Sequence, residues 1–171
     1  LSALVADIIQ LSRLDEKNSD LPFELVDLYE LAEDIVLHLD SAASKKNINV
    51  SLEGNAVTVQ GVRHVIYEML YNIADNAIRY TDQNGTVNIF TGTVNGHAFY
   101  RVEDNGIGMT KERLNQVRGG LTTKIEDSND FYGLYNVNER IRLKFGEEYG
   151  LSIDSVLQEG TCVEVWLPWE S

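Results

Sequence analysis

The sequence predicts an α+β protein, a two-layer α/β sandwich in which a mixed, mostly antiparallel sheet packs against three long helices. Three observations point to it. Several segments repeat apolar residues at helical spacing along one stripe, and others alternate β-branched and aromatic residues with polar ones. Two of the alternating runs, Thr86 to Val94 and His97 to Val102, are separated by Asn95-Gly96, the strongest short hairpin signal. With 171 residues, 43% hydrophobic and 24% charged, the chain is long and apolar enough to bury one ordinary core.

Taken in order, Leu1, Leu4, Ile8 and Leu11 form a helical stripe that either seeks a partner helix, as in a coiled-coil seam, or packs on its own domain. A polar stretch, Asp15 to Asp20, and Pro22 follow. Asp27 with Glu30 reads as a capped start for a helix running to about Lys46, with Leu28, Leu31, Ile35 and Leu39 on its inner face. Ile48 to Leu52 and Val57 to Val59 read as short strands around Gly54 and Asn55, and Arg63 to Tyr80 as a second long helix. After the hairpin come a short helix at Lys111 to Arg118, a loop from Gly119 to Tyr132 and a third long helix at Leu134 to Phe145. Strands at Leu151 to Leu157 and Thr161 to Leu167, joined by Gln158-Glu159-Gly160, close the chain.

A net charge of -13 argues against general nucleic-acid binding, which rests on clustered Lys and Arg. It does not exclude a nucleotide, whose phosphates can be neutralised by a metal ion, backbone amides and a few local cations. The lone Cys162 reads as a buried structural thiol, with a reducing compartment as the default. No apolar run approaches the roughly 18 residues that span a bilayer, and the first residues lack the features of a signal peptide.

Two clusters carry chemistry. Asn72 and Asn76 are four apart on a helix, so both amides project from one face. An amide oxygen is a hard, neutral ligand for Mg²⁺ and the NH₂ group donates to phosphate oxygen, although two asparagines alone also suit a solvated surface. Glu68 lies one turn back; Arg79 and Tyr80, at the helix end, are a phosphate-neutralising cation and a base-stacking ring, or simply an exposed cation and a half-buried aromatic.

The second cluster, Asp104-Asn105-Gly106-Ile107-Gly108-Met109, directly follows a strand. Its glycines leave room for a flat ligand beside the main chain, and a carboxylate at the strand end accepts a hydrogen bond from an exocyclic amine. An ordinary turn is the competing reading. The third glycine of a dinucleotide fingerprint and the G-K-[ST] ending of a P-loop are both missing. Further on, Gly119-Gly120 and Gly133 bracket a polar stretch with Thr122, Thr123 and Lys124, a pattern suited to a lid; Gly133 also leads into the third long helix, whose first amides point at an anion. Gly160-Thr161 sits in the last turn.

In this order, the pieces resemble the N, G1, G2 and G3 boxes of the GHKL ATPases, and specifically the catalytic domain of bacterial sensor histidine kinases. Glu68 to Thr81 is similar to the N box, Val102 to Met109 to G1, and Gly160 to Pro168 to G3. The resemblance covers about residues 23 to 169. It implies a Bergerat fold binding ATP and Mg²⁺, with Asn76 on the metal, Asn72 and Arg79 on the phosphates, Tyr80 beside the base, and Asp104 on the adenine amine. Gly106, Gly108 and Met109 shape the pocket, Gly133 and Leu134 form the G2 end of the lid, and Thr161 lies near adenine. The stretch Phe131-Tyr132-Gly133-Leu134-Tyr135-Asn136-Val137 is shorter in glycine than the common G-x-G-L-G-L, and Phe131 is a candidate for the lid's F box.

None of His38, His64 and His97 is placed like the phosphoacceptor, which in this family is a histidine followed by an acid on a dimerising helical hairpin. Residues 1–20 resemble the end of that hairpin's second helix and a linker, and 21–171 the ATP-binding catalytic domain. The implied partners are the parent's phosphoacceptor helix, in a homodimer, and a response regulator receiver domain; the implied location is the cytoplasmic side of a membrane-anchored bacterial parent. Two other readings stand beside this one. Another GHKL hydrolase or serine kinase would place an acid one turn before Asn76, where this chain has Asn72; a regulatory dimerisation module would carry a degraded nucleotide site.

Overall fold

A computed structural model of the chain describes residues 23–122 and 129–171; the expected helix over Leu1 to Leu14 and the polar Thr123 and Lys124 lie outside the described residues. Strand β1 (Glu24–Asp27) was not predicted. It pairs antiparallel with β3 (Thr58–Gly61), matching Val26 to Val59, and leads straight into α1 (Leu28–Lys45). Asp27 caps α1 as expected, accepting from the amide of Tyr29 at 2.9 Å, and also from that of Val57 at 3.2 Å. Glu30 does not complete a capping box. It reaches Arg63 at 2.6 Å, linking α1 to the first turn of α2 (Arg63–Tyr80).

The main sheet runs in the order β2 (Asn49–Gly54), β4 (Thr86–Val94), β5 (His97–Asp104), β7 (Gly160–Pro168), β6 (Gly150–Val156). Only β2 and β4 are parallel; the other neighbours are antiparallel. The β4–β5 hairpin turns at Asn95 and Gly96, with φ of 51° and 80°, the left-handed pair that makes Asn-Gly the favoured loop. Alternation along β5 sends Ala98, Tyr100 and Val102 inward and leaves Phe99, Arg101 and Glu103 on the outer face.

Helices α1 and α2 bury Leu28, Leu31, Ile35, Leu70 and Ala74 against the inner face of the sheet, where Val87, Ile89, Tyr100 and Val165 meet them. A second, smaller cluster joins Leu114, Val117 and Leu121 of α3 (Lys111–Thr122) to Ile153 of β6. The buried amide of Asn138, on α4 (Asn129–Phe145), ties this region together. It donates to the Leu121 carbonyl and accepts from the Leu151 amide, each at 2.9 Å.

Helix α3 runs through Gly119 and Gly120 to Thr122, and α4 begins at Asn129, so the expected loop from Gly119 to Tyr132 is largely helical at both ends. Leu121 continues the stripe of Leu114 and Val117 and is 5% exposed, a burial that offsets the helix cost of about 1 kcal/mol per glycine. Cys162 is half-buried rather than buried; desolvation and the nearby Glu164 and Glu103 push its thiol up to about 11.

The core makes two different demands at one contact, where the fully buried Tyr100 hydroxyl donates to the Leu70 carbonyl at 3.1 Å. Leu70→Ala is expected to cost about 2–5 kcal/mol and Tyr100→Phe about 1 kcal/mol, read as shifts of the urea midpoint at unchanged slope.

Candidate functional site

The two apolar clusters do not merge above β5, β6 and β7, and between them lies a cavity of about 420 Å³. Its floor is strand: Val102 and Asp104 of β5, Thr161 and Val163 of β7, Leu151 and Ile153 of β6. One wall is the α2 stripe Met69, Ile73, Asn76, Ala77 and Tyr80, spaced so that each faces the same way. The opposite wall is Arg113 and Val117 of α3, and the turn Ile107 to Thr110 with Leu157 closes the rim.

Asp104 is the acid in the floor of this mostly apolar slot. Burial pushes its carboxyl above the ordinary carboxylate range, while hydrogen bonds from the backbone N–H groups of Gly106 and Thr161 pull the other way. The Gly106 bond is 2.9 Å long. Beyond Asp104 the main chain passes under the end of α2: a methyl group on Gly106 would run into the Tyr80 carbonyl, and the Ile107 amide donates to that carbonyl at 3.4 Å. Gly108, at φ 68°, lies against the Val156 carbonyl, and Gly160 lies against the carbonyl of Asp104 itself. Ser155 joins these turns, accepting from the Met109 amide and donating to the Gly160 carbonyl at 2.9 Å each, with the Thr161 hydroxyl a further 2.9 Å partner.

The structure thus brings Asn76, Tyr80, Asp104, Gly108, Met109 and Thr161 to one cavity, with Gly106 packed behind its rim. Asn72 is 7% exposed on α2, one turn before Asn76, and its amide nitrogen has no hydrogen-bond partner among the described residues. Arg79 stands half-exposed at the outer end of α2, where it pairs with Asp75 at 3.0 Å. Gly133 falls a turn inside α4 rather than at its start, past the first-turn amides that a helix leaves free; the side-chain surroundings of Leu134 and Phe131 lie outside the described residues.

Several contributors escaped the sequence reading. Met69, Ile73 and Ala77 read as core, and only their place on the Asn76 stripe hinted at a second use. Arg113 and Ser155 carried no signal, because their place at the site depends on how α3 and β6 sit. Lys46, at the end of α1, donates to the carbonyls of Ile78, Arg79 and Thr81 at 3.1, 2.8 and 3.0 Å, closing the last turn of α2 from outside.

Chemically, the slot suits a flat heterocycle: apolar side chains cover its faces, glycines let the main chain approach its edge, and one acid waits for an N–H donor. Asn76 supplies a neutral oxygen to the α2 wall. Among the described residues no group of three His, Cys, Asp or Glu side chains is placed to hold a metal, so any ion there would lean on ligands that arrive with it.

A sequence profile of the histidine kinase-, DNA gyrase B-, and HSP90-like ATPases matches residues 61–171. The chain is 33% identical to the sensor protein kinase PmrB of Pseudomonas aeruginosa, over 98% of this chain and 35% of that protein. It is 29% identical to the cell-division control histidine kinase PdhS of Brucella anthropi, over 97% of this chain and 17% of that protein. The chain therefore spans about a third or less of these relatives. Among solved structures, the catalytic domain of the histidine kinase ThkA superimposes with a TM-score of 0.70 at 19% identity, covering 86% of this chain and 97% of that one. Full-length ShkA in complex with AMPPNP gives 0.74 at 19% identity, covering 99% and 36%.

Close approach makes Gly108 the more sensitive of two glycines. Gly108→Ala is expected to cost about 1–3 kcal/mol, whereas Gly119→Ala, where the new methyl meets nothing within 4 Å, is expected to be neutral or stabilising in the same denaturant titration.

Proposed function

Because the chain belongs to the histidine kinase-, DNA gyrase B-, and HSP90-like ATPase family, we propose that its cavity binds the adenine of Mg-ATP and that the domain passes the γ-phosphate to a histidine outside this chain. The observation that carries the reading is Asp104: a half-buried carboxylate lining an apolar slot and held by two backbone amides. Adenine offers the matching donor, its exocyclic amine. The bound AMPPNP of ShkA supports the nucleotide reading, and the complex of ThkA with the response regulator TrrA supports a response-regulator partner.

In this reading Asp104 accepts from the adenine amine, Thr161 and Met109 flank the ring, and Tyr80 covers its outer edge. Gly106 and Gly108 admit the ring to the main chain. Asn76 is the protein's oxygen ligand to Mg²⁺, which neutralises phosphate charge when it is bound. Arg79 meets the phosphates by giving up or sharing Asp75, and the unsatisfied amide of Asn72 turns toward them. Gly133 and Leu134 belong to the far side of the phosphate site. Catalysis is then positioning and charge neutralisation, as suits phosphoryl transfer.

The histidine acceptor lies elsewhere. His38 is bonded to Tyr67 at 2.6 Å and His97 to Tyr149 at 3.1 Å, His64 sits 4.0 Å from Glu68, and none of the three lines the cavity. We assign residues 1–20 to the tail of a dimerising hairpin, and the catalytic domain to 21–171. The partners are that hairpin's phosphoacceptor helix in a homodimeric parent and a response regulator receiver domain. No helix among the described residues is long and apolar enough to cross a membrane, which suits a domain on the cytoplasmic side of an anchored parent.

Asp104→Asn is expected to weaken adenosine binding about tenfold or more, measured by calorimetry. In the wild type the same affinity falls as pH drops: the raised carboxyl gains its proton above the ordinary Asp range, and the ionised acceptor is lost. Asp104→Asn flattens that step; equal affinity in both proteins would sink the adenine assignment. Glu68, paired with His64 and two turns from Asn76, is placed as no general base, so Glu68→Gln leaves phosphotransfer to the parent's hairpin unchanged. A loss of about a hundredfold or more there would favour a hydrolase or serine-kinase reading instead.

A further inference from the structure

We propose that Lys46 is a positioning residue of the nucleotide site, acting through the C-terminal turn of α2. The inference rests on the ATP-binding reading above. A helix leaves its last four carbonyls without partners inside the helix. In α2 these belong to Ala77, Ile78, Arg79 and Tyr80, and three residues, Thr81, Lys46 and Ile107, answer them. The Thr81 hydroxyl donates to Ala77 at 2.7 Å, and the Ile107 amide to Tyr80 at 3.4 Å. The Lys46 ammonium donates to Ile78 at 3.1 Å and to Arg79 at 2.8 Å, and its third bond goes to Thr81 at 3.0 Å. One side chain from another helix thus uses all three of its N–H bonds on the turn that carries Arg79 and Tyr80.

Lys46 is itself held in place. Helix α1 ends with Asn47 at φ 52°, the Asn47 amide bonded to Ser44 at 3.0 Å and the Ile48 amide to Ala43 at 2.9 Å, a Schellman ending closed by the buried Ile48. The Lys46 carbonyl accepts from the Asn84 amide at 2.9 Å, and the Asn47 side chain donates to that of Asn84 at 2.7 Å. These bonds tie the end of α1 to the loop after α2, so the ammonium arrives at a fixed point.

The consequence is both geometric and electrostatic. A helix C-terminus carries about half a negative charge, which opposes phosphates brought beside Asn76 and Arg79. Lys46 cancels that charge without touching the nucleotide, and it keeps the Arg79 backbone from fraying. Neighbouring Lys45, exposed and without such bonds among the described residues, supplies the internal control.

Mg-ATP and adenosine are titrated into wild type, Lys46→Met, Lys46→Arg and Lys45→Met. Lys46→Met is expected to bind Mg-ATP about three- to tenfold more weakly while adenosine stays within about twofold, because the lost charge faces the phosphates only. Lys46→Arg restores most of the ATP affinity, and Lys45→Met changes neither ligand. If Lys46→Met does not fold, Lys46→Gln, which keeps donors but no charge, is expected to give the same split. ATP affinity equal to wild type in the folded variant, or ATP and adenosine weakened by one common factor, overturns the proposal. A wild type that binds neither ligand overturns the ATP reading itself, a result distinct from both.

Discussion

Main chain touches main chain at three points around the cavity, and the rest of the site follows from that. The Tyr80 carbonyl rests on Gly106, the Val156 carbonyl on Gly108, and the Asp104 carbonyl on Gly160, each with no room for a methyl group between. Ile107 sits at the centre: its amide reaches the end of α2 and its carbonyl accepts from the Gln158 amide in the β6–β7 turn. Three segments distant in sequence are thereby fixed at backbone separation. Such contacts transmit position with little play, because they contain no rotatable side chain. The placement of Asp104 relative to Asn76 and Tyr80 is therefore a property of the backbone.

The cavity exists because the protein has two cores. Helices α1 and α2 fill the sheet's inner face over β4, β5 and β7, and α3 fills a separate patch over β6. Leu151 and Val163 border both, so the floor is continuous while the layer above it is interrupted. Asn138 holds α3, α4 and β6 together from behind and lets the second core stand apart from the first.

Electrostatics at the site runs against the chain as a whole. For a protein of net charge -13 to receive the proposed polyanion, local arrangement has to outweigh the overall charge. Asp104 in the cavity floor is shielded by burial and backbone N–H groups, while Arg113 on α3 lines the same cavity, Arg79 stands at the end of α2, and Lys46 lies behind that end.

The sequence by itself determined the periodicities, and with them the fold class, the cap at Asp27, the Asn95-Gly96 hairpin and the ordered pieces around Asn76, Asp104 and Gly160. These are local signals, written in residues within a few positions of one another. It could not determine β1, a four-residue strand that exists only because β3 lies beside it. Nor could it show α3 passing through two glycines, where burial of Leu121 outweighs propensity. At the site, Asn72 and Asn76 share a face in sequence logic, yet the structure gives the cavity to Asn76 and buries Asn72 beside it. Arg113 reached the cavity wall, Ser155 the turns beside it, and Lys46 the end of α2 only in three dimensions. Their roles depend on which carbonyl, wall or turn another element presents, and that is settled by packing at long range, where spacing along the chain carries no information.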